Sequence, residues 1–304
     1  MAFTIRPAGP GDEPAFVAIQ RDLYAYAVVH EEAFRHHWAT EPARAHALRL
    51  VAEEDGRVAG VGRAGLSISS SLPGASQHGL LVRPDYRGRG LGGELFDRLM
   101  AHLGEVGGTR VEGWGDGDEA TVRFLGTRGF AQRHELRYSH LNLGGPLPPT
   151  PAAGAHVRAV SFAETTPEEV FAVDSEAVLD EPGDTPADAM DFAEWRSTIW
   201  DAPDTDKAAS VLVYADGQPA AYTLVETDLD RRMWSGGTGT RRAFRGRGLA
   251  KYAKSVALRR AAERGITDAF TPNDEENGPM LAINEWLGYR PCGAQFSYLR
   301  ALSS

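Results

Sequence analysis

Leu81-Val82-Arg83-Pro84-Asp85-Tyr86-Arg87-Gly88-Arg89-Gly90-Leu91-Gly92 reads as the end of a strand, a glycine-rich turn and the opening of a helix. After the turn, Leu91, Leu95, Phe96, Leu99, Met100 and Leu103 recur on one helical face, a stripe suited to core packing. Gly79-Leu80-Leu81-Val82 supplies the strand before it. The same order returns at Thr240-Arg241-Arg242-Ala243-Phe244-Arg245-Gly246-Arg247-Gly248-Leu249-Ala250. There the stripe is Leu249, Tyr252, Ala253, Val256 and Ala257, and the preceding strand pattern, Gly237-Thr238-Gly239-Thr240, is less clear.

Three further landmarks repeat around these turns. Each half opens on a short strand-like segment with an arginine, Thr4-Ile5-Arg6 and His156-Val157-Arg158. Each then has two apolar runs separated by Asp-Gly (Asp55-Gly56, Asp216-Gly217), a strong hairpin signal. Each closes on Gly-aromatic, Gly129-Phe130 and Gly288-Tyr289. The four landmarks are offset by 152, 161, 158 and 159 residues, which marks a duplicated domain. The Pro/Gly-rich run from Gly144 to Gly154 lacks apolar periodicity and reads as a semi-rigid linker. The expected organisation is an N-terminal domain over 1–143, a linker over 144–154 and a C-terminal domain over 155–304.

A strand, a glycine turn and a helix start together gather unpaired backbone N–H groups at the positive end of a helix dipole, an anion site. Glycine lets a pyrophosphate approach the backbone, and Arg87, Arg89, Arg245 and Arg247 add charge suited to phosphate. Neither copy has the Gly-x-x-x-x-Gly-Lys-Ser/Thr of a nucleoside-triphosphate loop. Gly88, Gly90 and Gly93 fit a dinucleotide fingerprint, but Lys251 breaks it in the second copy. What survives in both is Arg-x-x-Gly-x-Gly/Ala.

That pattern resembles the pyrophosphate signature of the GCN5-related N-acetyltransferases, Gln/Arg-x-x-Gly-x-Gly/Ala, and the domain openings and Gly-aromatic closings are similar to theirs as well. The resemblance covers nearly the whole chain. It implies an α+β/α/β mixed fold in two consecutive domains, each a mostly antiparallel mixed sheet with splayed fourth and fifth strands, flanked by helices. It implies acetyl-CoA as cosubstrate and direct attack by an amine on the thioester; no metal is expected. Coenzyme contacts are then expected at Leu81, Val82, Arg87, Gly88, Arg89, Gly90, Leu91 and Gly92 in the first copy. In the second they are expected at Gly239, Thr240, Arg245, Gly246, Arg247, Gly248, Leu249, Ala250 and Asn277.

The family's Asn-x-x-Ala-x-x-Phe-Tyr is incomplete in both copies. The second has Asn277-x-x-Met280-x-x-Ile283-Asn284 and the first Asp118-x-x-Thr121-x-x-Phe124-Leu125. Asn284 and Leu125 thus stand where the family often has the tyrosine that protonates the thiolate, and neither is a phenol. The second copy keeps the asparagine and is expected to carry the chemistry, with Glu226 and Asn284 as its catalytic candidates. An alkylamine of pKa ~10 needs a base; Glu112, near the fifth strand of the first copy, and His78, just before its fourth strand, are further candidates. Mycothiol synthases are tandem members of this family too, and the run from Asn277 to Asn284 reads as unlike theirs.

His30, His36 and His37 do not have the one-face spacing of a zinc pair. Tyr24, Tyr26, Trp38, Trp195 and Trp200 fit either acceptor-pocket walls or core. The one cysteine, Cys292, excludes an internal disulfide and a thiolate cluster, and reads as a structural thiol. A net charge of −10 argues against nucleic acid or an anionic membrane as partner. The opening residues show no signal-peptide pattern and no apolar run approaches ~20 residues, so a cytoplasmic protein is expected. The expected activity is N-acetylation of a small-molecule primary amine by a monomer or homodimer. The alternatives are a coenzyme-binding module without turnover, and one catalytic half beside one structural half.

Overall fold

Asp55, Gly56, Asp216 and Gly217 have φ of 50°, 74°, 53° and 80°, the left-handed geometry a two-residue hairpin turn demands. They join β2 (Leu48–Glu54) to β3 (Arg57–Leu66) and, later, β8 (Val211–Ala215) to β9 (Gln218–Thr227). The computed structural model describes residues 3–188 and 190–302, which form two compact units.

The first unit holds residues 3–135, 184–188 and 294–302. It runs β1 (Thr4–Pro7), α1 (Glu13–Leu23), α2 (Glu31–Thr40), β2, β3, β4 (Ala75–Val82), α3 (Leu91–Glu105), β5 (Arg110–Gly115) and α4 (Glu119–Gly126). Strands β1 to β4 are antiparallel neighbours in chain order, and β5 joins β4 in parallel. Alternation sends β2 side chains to opposite faces. Leu50 and Ala52 pack with α3 residues Leu91, Leu95 and Leu99, whereas Val51 packs with Phe16 and Ile19 of α1.

The second unit, residues 136–183 and 190–293, repeats the plan. Its elements are β7 (Val157–Ser161), α5 (Pro167–Ala177), α6 (Phe192–Trp195) with a π-helical extension over Arg196–Trp200, β8, β9, β10 (Arg232–Thr240), α7 (Leu249–Glu263), β11 (Asp268–Asp274) and α8 (Gly278–Leu287). Again the first four strands are antiparallel and β11 is parallel to β10. Ala221 and Val225 of β9 face the α7 layer, and Tyr222 and Leu224 face the α5 layer.

The units do not follow the chain boundaries expected at 143 and 155. Each half has one long strand after its last helix, β6 (Ala131–Asn142) and β12 (Arg290–Ala301). Residues 136–142 of β6 lie antiparallel to β11 in the second unit. Phe296–Ala301 of β12 lie antiparallel to β5 in the first. Both strands have the same local pattern, so sequence alone does not say which fifth strand each will join. The expected linker has neither helix nor strand and is pinned within the second unit: Arg259 of α7 donates to Thr150 Oγ1 at 2.7 Å and to the Pro148 carbonyl.

Candidate active site

In both units the glycine turn is built as the residue types require. Gly88 and Gly90 have φ of 72° and 87°, Gly246 and Gly248 of 75° and 73°. A side chain would be strained at all four. Gly90 and Gly248 are the N-caps of α3 and α7 and bring no capping side chain. The first N–H groups of each helix are therefore left for an outside acceptor. Leu91 and Leu249 are buried anchors beneath the turns rather than part of their open surface.

The arginines are held differently. Arg87 Nε donates to the Val82 carbonyl and Arg245 Nε to the Thr240 carbonyl, both at 3.0 Å. Beyond that, Arg87 has no ion pair among the described residues, whereas Arg245 and Arg242 both bind the carboxylate of Asp180 (2.6 and 2.7 Å). These two arginines hold Asp180 far below the usual carboxylate range. Arg89 pairs with Glu54, and Arg247 with Asp216 at 2.7 Å.

Beyond each turn, the fourth and fifth strands part. Pairing of β4 with β5 ends at His78 opposite Gly113, so Leu81 and Val82 lie beyond the split. Pairing of β10 with β11 ends at Trp234 opposite Phe270, and Gly239 and Thr240 lie beyond it, paired only with β9 residues Tyr222 and Ala221. The two splits differ in one respect. The β9–β10 register shifts by one residue between Ser235 and Thr238, a bulge at Gly236-Gly237, while β3–β4 keeps register from Gly60 to Leu66. Bulges re-aim a strand and its side chains.

Glu226 lies at that bulge. A Cβ placed on Gly236 would come within 2.7 Å of Glu226 Oε2, and one on Gly237 within 2.5 Å of the Tyr222 hydroxyl. Tyr222 donates to Asp174, which also accepts Trp195 Nε1–H at 2.6 Å. Burial pushes the Asp174 carboxyl up despite these two donors, and burial followed by Asp174 raises the Tyr222 phenol. A carboxylate, a phenol and glycine backbone thus meet where the strands separate.

The first unit is furnished otherwise. His78 lies within β4 and not before it; its ring is caged by Phe96 and Phe130 at 5.8 and 5.2 Å. Neither ring nitrogen has a hydrogen-bond partner among the described residues, and burial pulls the imidazole down to about 4. Glu112 faces a different layer, accepting from Thr185 Oγ1 at 2.7 Å, and burial raises its carboxyl.

Other expected residues take structural positions. Asn277 caps α8, its Oδ1 accepting from the Met280 N–H at 3.3 Å. Asn284 is 3% exposed and donates to Asn273 Oδ1, leaving its own oxygen without a partner. His30 caps α2 through the Ala33 N–H. Trp195 and Trp200 belong to the core under α5, Trp38 packs on Phe16, and Tyr24 stacks on Tyr26. Cys292 is exposed in β12. Sequence reading missed Asp174, Tyr222, Asp180 and Lys254. Lys254 lies on the buried face of α7 with Ala257, Leu258 and Ala261. No helix among the described residues is long and apolar enough to cross a membrane.

Two successive sheets, each split between a fourth and a fifth strand below a glycine turn, define the acyl-CoA N-acyltransferase type of fold. The acetyltransferase (GNAT) family model matches residues 14–130. Two solved structures share the fold over nearly the full length. A GCN5-related N-acetyltransferase from Sphaerobacter thermophilus has a TM-score of 0.75 at 17% identity, covering 98% of this chain and 95% of that one. A tandem GNAT protein from the clavulanic acid biosynthesis pathway has a TM-score of 0.75 at 19% identity, covering 100% and 99%. Among curated proteins, a mycothiol acetyltransferase of a Nocardioides species is 29% identical over 69% of this chain and 75% of its own length. That of Acidothermus cellulolyticus is 24% identical over 83% and 79%. The family match falls within the first unit, and together with the tandem GNAT neighbour and the mycothiol acetyltransferases it supports a two-domain protein of GNAT type and an acetyltransferase enzyme. The chain's similarity to proteins of the mycothiol group is greater than the run from Asn277 to Asn284 suggested.

Proposed function

We propose that the chain transfers the acetyl group of acetyl-CoA to a primary amine of a small molecule, and that the reaction runs in the second unit. The observation that carries this reading is the Glu226 carboxylate lying over Gly236 at the split between β10 and β11. An alkylammonium of pKa ~10 must lose a proton to attack a thioester, and Glu226 is the base at the split. The coenzyme's pyrophosphate would lie on the N–H groups of Gly246 to Ala250, at the start of α7. Beyond Trp234 the main chain of β10 is unpaired on its β11 side, which supports a role as fixed donor to the thioester oxygen. The amine attacks directly, in a ternary complex.

The relatives' name makes a mycothiol-related amine the first acceptor to try. Release of free thiol from acetyl-CoA is followed with that amine and a panel of others. Turnover with at least one is expected, and Glu226→Gln should lower kcat by about 10²–10⁴-fold. No thiol release with any amine would count against the reading.

A second reading concerns the first unit alone: it holds coenzyme without reacting it. Continuous β3–β4 register and the caged imidazole of His78 at the split favour this division.

A further inference from the structure

The layer between β10, α7 and α8 contains an amine, a phenol and an amide, where the corresponding layer of the first unit sets two phenyl rings around the single imidazole of His78. Phe96 and Lys254 are each the sixth residue of the helix that follows the glycine turn. Phe130 and Tyr289 each follow the closing glycine, and Leu125 and Asn284 each stand five residues before these aromatics. In the first unit Phe96 and Phe130 meet at 5.9 Å. In the second, Lys254 Nζ lies 5.7 Å from the Tyr289 ring centroid, so the amine replaces a phenyl ring.

Burying such groups without partners is costly, and native cores avoid it. Lys254 is 1% exposed and forms no ion pair or hydrogen bond among the described residues. Tyr289 Oη and Asn284 Oδ1 are buried and also lack partners. The Ser235 side chain faces the Tyr289 hydroxyl without reaching hydrogen-bond geometry. Ser235 directly follows Trp234, the last β10 residue paired with β11, so this polar seat lies at the apex of the split. Val225 of β9 faces the α7 layer, and Tyr222 and Leu224 face the α5 layer with the alternate residue Glu226. The base and the polar seat therefore flank β10 from opposite sides.

We propose that Lys254 is the acid that protonates the departing coenzyme thiolate, with Tyr289 and Asn284 completing its seat. The inference rests on the acyl-transfer reading above. The amine nitrogen bonds to the thioester carbon and passes its proton to Glu226. The C–S bond breaks, its electron pair stays on sulfur, and sulfur takes a proton from the Lys254 ammonium. Exchange with solvent then returns a proton to Lys254 and removes one from Glu226. Burial draws the Lys254 ammonium down to about 7, which suits donation to a thiolate whose acid has a pKa of ~8.5.

The test uses the full chain carrying Arg87→Glu, so that the second loop alone reports. In the complex the proton rests on sulfur and neutral Lys254 accepts from the thiol, so coenzyme A and its analogue lacking the sulfur are titrated by calorimetry, with and without Lys254→Met. Binding of coenzyme A at least about threefold tighter than the analogue, a preference lost in Lys254→Met, supports the proposal. Equal affinity for the two in the chain that keeps Lys254 overturns it, and this measurement requires no acceptor and no variant of Lys254. With acetyl-CoA and an active amine, Lys254→Met should reduce kcat by about 10²-fold or more at little change in KM. Retention of kcat within threefold would overturn the assignment. If no amine supports turnover but the preference for sulfur is found, the acyl-transfer reading fails while the seat for sulfur stands. Should Lys254→Met not fold, Tyr289→Phe tests the same seat by deleting one oxygen; an unchanged preference for the sulfur would count against it.

Discussion

Gly236 has no side chain because Glu226 occupies the space a Cβ would require, 2.7 Å from the carboxylate oxygen. The glycine and the acid are cross-strand neighbours beside the bulge: Trp234 pairs with Glu226 and Ser235 with Val225, and the register slips before Thr238. Gly236→Ala should therefore push the carboxylate off the split while leaving the glycine turn untouched. We expect kcat to fall by on the order of tenfold, with coenzyme affinity unchanged, since the change acts on positioning alone. Steady-state kinetics beside calorimetric titration of coenzyme A would check this; equal losses in both would place the effect in the fold.

His78 gives the protein an acid-side weakness. Its folded pKa of about 4 lies below the 6.5 of an unfolded chain, so between these values the unfolded state binds more protons. Stability is then full above about pH 6.5 and declines as pH falls towards 4, by about 3 kcal/mol across the interval. His78→Leu fills the same cage of Phe96 and Phe130 without a titrating group. Its melting temperature should exceed that of the wild type by more at pH 5 than at pH 8. An equal gain at both would show that His78 does not titrate between the two states.

What could be read in the sequence was local. The glycine turns, the Asp-Gly hairpins and the duplication depend on φ preferences and short spacing, and the structure forms them where those signals stand. The α3 stripe was equally legible: Leu91, Leu95, Phe96, Leu99 and Leu103 are all buried. The α7 stripe hid Lys254, because a lysine on an apolar face ordinarily marks the solvent side. Glu226 was identifiable as an acid after an apolar run, but a one-residue bulge brings it over Gly236, and a bulge leaves little trace in spacing. Asn284 was placed by the family pattern; its amide is instead tied to Asn273 inside the unit.

The exchange of closing strands predicts where a core mutation in the last residues will be felt. Tyr298 of β12 is 1% exposed and packs with Val111, Leu125 and Phe130, all in the first unit. Tyr298→Ala should cost about 3–5 kcal/mol by leaving a cavity. Hydrogen exchange should then quicken in β5 and α4, far along the sequence, while β11 and α8 keep their protection. Faster exchange confined to β11 and α8 would contradict the pairing of β12 with β5.

Asp180 makes the two glycine turns unequal as anion sites. Its carboxylate engages Arg242 and Arg245 together, whereas among the described residues Arg87 forms no ion pair: its Nε donates to a backbone carbonyl, and Asp116 and Asp118 act on it from longer range. A phosphate reaching Arg245 must exchange with a carboxylate already bound there, while one reaching Arg87 has no such direct pair to break. Such exposed pairs are individually weak and screened by salt, so the handicap is a matter of affinity and not of access. Asp180→Asn should tighten coenzyme A binding at the second turn by roughly three- to tenfold at low ionic strength, with the gain shrinking as salt is added. Calorimetric titration in the Arg87→Glu background isolates that site. If Asp180→Asn weakens binding instead, the carboxylate serves to hold Arg242 and Arg245 in place for the phosphate and does not compete with it.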